Sequence, residues 1–167
     1  LYTENTLPPV ALTIEKISSV PSLLKMWIII LFGNLLGSLL GSLALFYGNV
    51  LSDEAGKYII KVAQSGVESS FTSLFFKGMF AGIIVAGVVW MDFSVKDSIS
   101  RVILVYLAFL SIPLGNLYHV VVSTTEMFYL ILATDVAVWS TIISFPLPVL
   151  LGNTIGGVLF VTLVNYF

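Results

Sequence analysis

Apolar residues in this chain come in long blocks rather than in alternation, and the block lengths predict the elements. Blocks 23–46, 71–91, 102–122 and 147–166 each hold enough residues for a membrane-crossing helix, since a hydrocarbon core of ~30 Å takes about 20 residues of helix. Two further blocks, 7–14 and 127–138, are apolar but too short to cross alone, and both are expected to be half-helices. The pair Pro8-Pro9 suits the first turn of the earlier one, because proline is tolerated where the backbone N–H has no helical partner. The chain opens Leu1-Tyr2-Thr3 with neither an initiator Met nor a signal sequence. It is therefore expected to be the C-terminal part of a longer chain, starting inside a span.

Short polar connections separate the blocks: 15–22, then the longer amphipathic 49–70 with Asp53, Glu54, Lys57, Lys61 and Glu68, then 92–101. Ser94-Val95-Lys96-Asp97 has the spacing of a capping box for the next helix, and Phe145-Pro146-Leu147-Pro148 marks the start of the last span. One face collects Lys16, Lys25, Lys96 and Arg101, whereas the other has only Lys57 and Lys61. The positive-inside rule places the first face in the cytoplasm. Trp27 and Trp90 then fall at the inner interface, Trp139 and Asp135 near the outer one.

Composition narrows the class. Only 10% of the 167 residues are charged and 58% are hydrophobic, with a mean hydropathy of +1.07, against about a quarter charged in a soluble domain. A net charge of -2 without a basic run leaves no footprint for nucleic acid. No cysteine is present, so disulfides and thiol catalysis are excluded. A single histidine offers no metal site, and no phosphate loop or nucleophile elbow occurs, so neither an enzyme nor a cofactor is expected. The reading is one polytopic membrane domain, 1–167.

A polar signature recurs inside two apolar helices: Gly33-Asn34-Leu35-Leu36-Gly37 and Gly152-Asn153-Thr154-Ile155-Gly156. Leu1-Tyr2-Thr3 lies 32 residues before Gly33, and Leu117-Tyr118-His119 lies 35 before Gly152. Each runs into a Thr/Glu cluster, which sets Glu4 and Glu126 in matching places as candidate functional carboxylates or helix caps. Counting spans makes this an inverted-topology repeat, whose helix breaks, expected at 3–9 and 113–123, bound a midplane site. Gly33, Gly37 and Gly41, like Gly152 and Gly156, recur every four residues, as close helix contacts require. Asn34 and Asn153 are expected to bond across helices or to broken backbone. Lys77 reads as a snorkelling or paired cation.

These motifs resemble the formate–nitrite transporter family of pentameric membrane channels. Leu1-Tyr2-Thr3 is similar to the Leu-Phe-Thr after the break in that family's second helix, and the two Gly-Asn helices are similar to its own. Lys77-Gly78-Met79 through Val88-Val89-Trp90-Met91 resembles its Arg-Gly-Ile…Ala-Val-Trp-Met helix, and His119 falls at its single pore histidine. The resemblance implies an all-α, aquaporin-like fold of three plus three helices with two broken helices, of which the first helix and a half are absent here. It implies a homopentamer in the plasma (inner) membrane with a pore in each protomer, passing small monovalent anions or their weak acids (formate, nitrite or hydrosulfide).

In that scheme His119 and Thr3 act at the midplane between apolar constrictions, with Leu1, Ile112 and Ser123 also along the path. The histidine would give a proton or hydrogen bond to the anion, which then crosses as its neutral acid and avoids an unpaired charge in low dielectric. Four positions depart from the family. Tyr118 stands where Glu is usual, Ser123 and Gly82 each replace an Asn, and the lysine that guards the family's outer vestibule has no clear counterpart near Gly66. A neutral-solute pore and a non-conducting structural or partner-binding relative are the alternatives.

Overall fold

The computed structural model describes residues 1–166, which are mostly helical with no strand among them. A 3₁₀ turn, Thr3–Thr6, leads into α1, Pro8–Ile14, with its proline pair in the first turn. Next come α2, Val20–Tyr47; α3, Asp53–Glu68; α4, Phe71–Asp92; and α5, Ser98–Leu114. After a break come α6, Val120–Ala133; α7, Val138–Ser144; and α8, Pro146–Ile155. The last helix continues as a π-helix, Gly156–Leu163, and ends in α9, Val164–Tyr166. Three helical stretches, Val20–Tyr47, Phe71–Asp92 and Val138–Leu163, are long and apolar enough to cross a membrane.

The block 102–122 is therefore not one span, and the half-helix expected at 127–138 is the body of α6. Pro113 has no N–H to offer the preceding turn, and Asn116 adopts the left-handed region with φ 51°. Leu117 N–H then bonds Ile112 O at 2.9 Å and Asn116 N–H bonds Pro113 O at 3.1 Å, the paired bonds of a Schellman stop. The connection 49–70 is mostly α3, whose partly buried face closes over α6.

Helix starts differ by environment. Ser19, Ser52, Ser70 and Asp97 cap α2 to α5 with their own side chains. Asp97, rather than a Ser94 box, caps α5, and accepting the Ser100 N–H at 2.7 Å holds its carboxyl below the ordinary carboxylate range. The start of α6 has no cap of its own and takes one from α8, as described below.

Packing sets α8 and the π-helix against α4, and α2 against α6. A Cβ on Gly152 or Gly156 would collide with the carbonyl of Phe75 or Met79. Glycine thus lets the two backbones touch, the geometry that small residues permit between helices in lipid. Serines join the other pair: Ser38 donates to Val121 O at 3.3 Å and Ser42 to Thr125 O at 2.8 Å. The main core gathers Tyr2, Leu74, Tyr118, Met127, Leu130, Phe145 and Val149 around these contacts.

Candidate functional site

The site is built on the break between α5 and α6. A helix start buried among apolar helices must find partners for its free N–H groups, and here Asn153 of α8 takes the first of them, that of Val120. Its Oδ1 accepts Val120 N–H at 3.0 Å and the Thr3 hydroxyl at 3.1 Å. Its Nδ2 donates to Gly78 O at 2.8 Å and to Tyr118 O at 3.1 Å. Four bonds use the full capacity of an amide side chain. One fully buried residue thereby fixes the 3₁₀ turn, α4, the break and α6.

His119, the residue before α6, is 3% exposed and meets the ring of Phe109 edge-on. Both of its ring nitrogens are buried without a hydrogen-bond partner, as is Ser123 Oγ one turn on. They face a cavity of about 290 Å³ lined also by Ile112, Tyr118, Asn116 and Glu126, with Tyr58 from α3. No lysine or arginine lines it. Positive potential comes instead from the start of α6, where helix dipoles favour an anion. Lys77 lies 5.5 Å from the centroid of the Tyr118 ring, a cation–π pair behind the wall of the cavity.

The sequence-derived residues divide. His119, Ile112, Ser123 and Glu126 line one cavity. Thr3 is buried outside its lining with its hydroxyl given to Asn153, and Leu1 is half exposed. Glu4 belongs to the 3₁₀ turn and is the carboxylate whose charge acts on His119. Trp27 donates Nε1–H to Asn5 O at 3.0 Å and packs on Tyr2.

The two asparagines correct the register of the repeat. Asn34 Oδ1 accepts Tyr2 N–H at 2.9 Å, just as Asn153 accepts Val120 N–H. The separations, 32 and 33 residues, are nearly equal. Tyr2 therefore matches Val120 rather than Tyr118, and Glu4 matches Val122, so Glu4 and Glu126 are not equivalent. Gly82 also has a structural reason: a side chain there would collide with the backbone of Asn153. Asn116 and Tyr58 were not foreseen as lining. An Asn three residues after Pro113 is a signal for a left-handed stop, while Tyr58 had only the amphipathic pattern of its helix.

Comparison with known proteins agrees with this architecture. The chain is 30% identical over 169 residues to the inner membrane protein YfdC of Escherichia coli, covering 99% of this chain and 54% of that one. It is 27% identical to the formate-nitrite transporter of Plasmodium falciparum, covering 57% of its length. The chain thus spans little more than half of these curated relatives. Among solved structures, an FNT family ion channel superposes with a TM-score of 0.88 at 23% identity, over 99% of this chain and 68% of that one. A pentameric formate channel with formate bound gives 0.77 at 20% identity, over 89% of this chain and 68% of that one. These likenesses give the all-α polytopic membrane fold, and residues 1–167 match the formate/nitrite transporter family throughout. The chain belongs to that family.

Proposed function

We propose that this chain carries the conduction path of a plasma (inner) membrane channel for small monovalent anions or their weak acids, of the formate, nitrite and hydrosulfide type. The observation that carries the reading is His119: a buried imidazole, both nitrogens unpaired, at a positive helix start in a cavity without permanent cations. An anion there gains a hydrogen-bond donor and the dipole of α6. When the ring is protonated, passing a proton from the imidazolium to the anion leaves a neutral imidazole and a neutral acid, which passes the apolar residues Ile112 and Leu117 without the cost of an unpaired charge. Thr3 supports the path through Asn153, by holding the break in shape.

A homopentamer is the assembly we infer. The pentameric formate channel shares the fold. The outer face of α2, with Ile28, Ile29, Phe32 and an uncovered glycine row, is free to meet another protomer.

Flux measured in proteoliposomes for formate, nitrite, hydrosulfide and glycerol tests the proposal. Weak-acid flux is expected, with a fall of about tenfold or more in His119→Asn, as expected for losing a positioned proton donor. Unchanged flux in that variant overturns the role of the histidine. Passage of glycerol alone indicates a neutral-solute pore, and no flux for any solute indicates a non-conducting relative.

A further inference from the structure

The cavity holds a carboxylate that the reading above does not use. His119, Ser123 and Glu126 stand at positions i, i+4 and i+7 of one helical path, and all three line the same space. That spacing puts them on one face of α6, with Glu126 about 10 Å along the axis from His119. Ser123 lies between them with its hydroxyl buried and unpaired. Among the described residues Glu126 forms no ion pair and no side-chain hydrogen bond. An intramembrane carboxylate without a structural partner marks a proton or substrate route.

We infer that Glu126 is a second proton-carrying group of the conduction path, exchanging protons with His119 across the cavity that both line, with the Ser123 hydroxyl between them to hold the bridging water. The inference rests on the channel reading. A proton on the Glu126 carboxyl passes to water in the shared cavity, a space large and polar enough to hold it, and that water, hydrogen-bonded to the Ser123 hydroxyl, releases a proton to the imidazole. The resulting imidazolium then gives a ring N–H proton to the anion. The anion leaves as a neutral acid, the water and His119 return to their starting forms, and the carboxylate is reloaded from water on the side covered by α3. No oxidation occurs, and only O–H and N–H bonds are exchanged.

The groups around this track are few. Tyr58 faces the cavity from α3, and Tyr118 from the break. Glu4 acts on His119 from the 3₁₀ turn, and the charge of Glu126 itself acts on Tyr118. Lys77 of α4 lies over the Tyr118 ring and is not part of the lining. Helices α2, α7 and α8 add no titratable group to the lining. The tyrosine at 118, where the family usually has Glu, leaves Glu126 as the carboxylate lining the cavity.

The test pairs flux with vibrational spectroscopy on the protein in proteoliposomes. In the wild type, infrared difference spectra across a pH titration should show a protonated-carboxyl C=O band that Glu126→Gln removes. Its midpoint should move in His119→Asn, because the two groups share protons. Glu126→Gln, assembled like the wild type by size-exclusion chromatography, should lose several-fold in weak-acid flux and one limb of its pH profile, and Glu126→Asp should restore part of both. A wild-type rate and profile in Glu126→Gln, or a band midpoint indifferent to His119→Asn, overturns the inference. Full flux in His119→Asn defeats the histidine reading instead, and the band titration still decides the coupling.

Discussion

The helix bearing Gly33-Asn34 and the helix bearing Gly152-Asn153 carry the same short motif and do different jobs. In α8 the glycines lie against the backbone of α4, and Asn153 spends all four of its hydrogen-bonding positions on four other parts of the chain. In α2 nothing lies within 4 Å of where a Cβ would stand on Gly33, Gly37 or Gly41, and Asn34 holds one backbone N–H. One copy is a joint inside the protomer. The other shares the capping role while its glycine face points away from the chain. A motif thus specifies what a helix can do at close range, and the neighbour decides whether it does so.

The sharpest way to break this comparison is to add side chains. Gly156→Val drives two methyl groups into the carbonyl of Met79 and should abolish the folded protein, measured as loss of a monodisperse peak in detergent. Gly37→Ala meets open space and should leave the protomer as stable or raise it by about 0.5–1 kcal/mol through helix propensity. Equal losses from the two would mean that α2 is packed within the protomer after all. A loss confined to oligomeric state in Gly37→Ala would place another protomer on that face.

Next in size are the asparagines. Asn153→Leu strands the Val120 N–H, two carbonyls and the Thr3 hydroxyl, at about 1–3 kcal/mol for each buried group left unpaired. It should cost several kcal/mol, against one such loss in Asn34→Leu. Thermal unfolding of both variants in one detergent checks the ratio, and a comparable shift would erase the asymmetry. The smallest effect is Thr3→Val, about 0.5–1.5 kcal/mol for one hydrogen bond. In a double-mutant cycle with Asn153→Leu that cost should largely vanish, because its acceptor is already gone. Full additivity would show that Thr3 is held by something other than Asn153.

Features set by the bilayer were legible in the chain. A span must have a certain length, so the ends of α2 and α4 lie within a few residues of the blocks 23–46 and 71–91. Pro113 announced a break because a missing N–H acts locally. What failed to show depended on contacts far apart in sequence. The likeness of Leu1-Tyr2 to Leu117-Tyr118 suggested one register, and only the bonds from Asn34 and Asn153 revealed another. Within the site, His119 stood out as an ionisable group beside a break. The commitment of Thr3 to Asn153 could not, since nothing in Thr3–Thr6 tells which helix lies opposite. The stretch 49–70 read as a connection, although Asp53, Lys57 and Lys61 recur at a four-residue spacing that fits the exposed face of α3.

Asn153 is also late. A chain made from its N-terminus threads α5 and α6 into the membrane before α8 exists, so the segment around His119 waits without its clamp. Until the stretch bearing Asn153 arrives, the α6 start has to borrow partners from water or from the translocation machinery. Ordering of the break around His119 thus waits for α8, and a ribosome that stops short of residue 153 leaves behind helices that insert but cannot set the histidine in place.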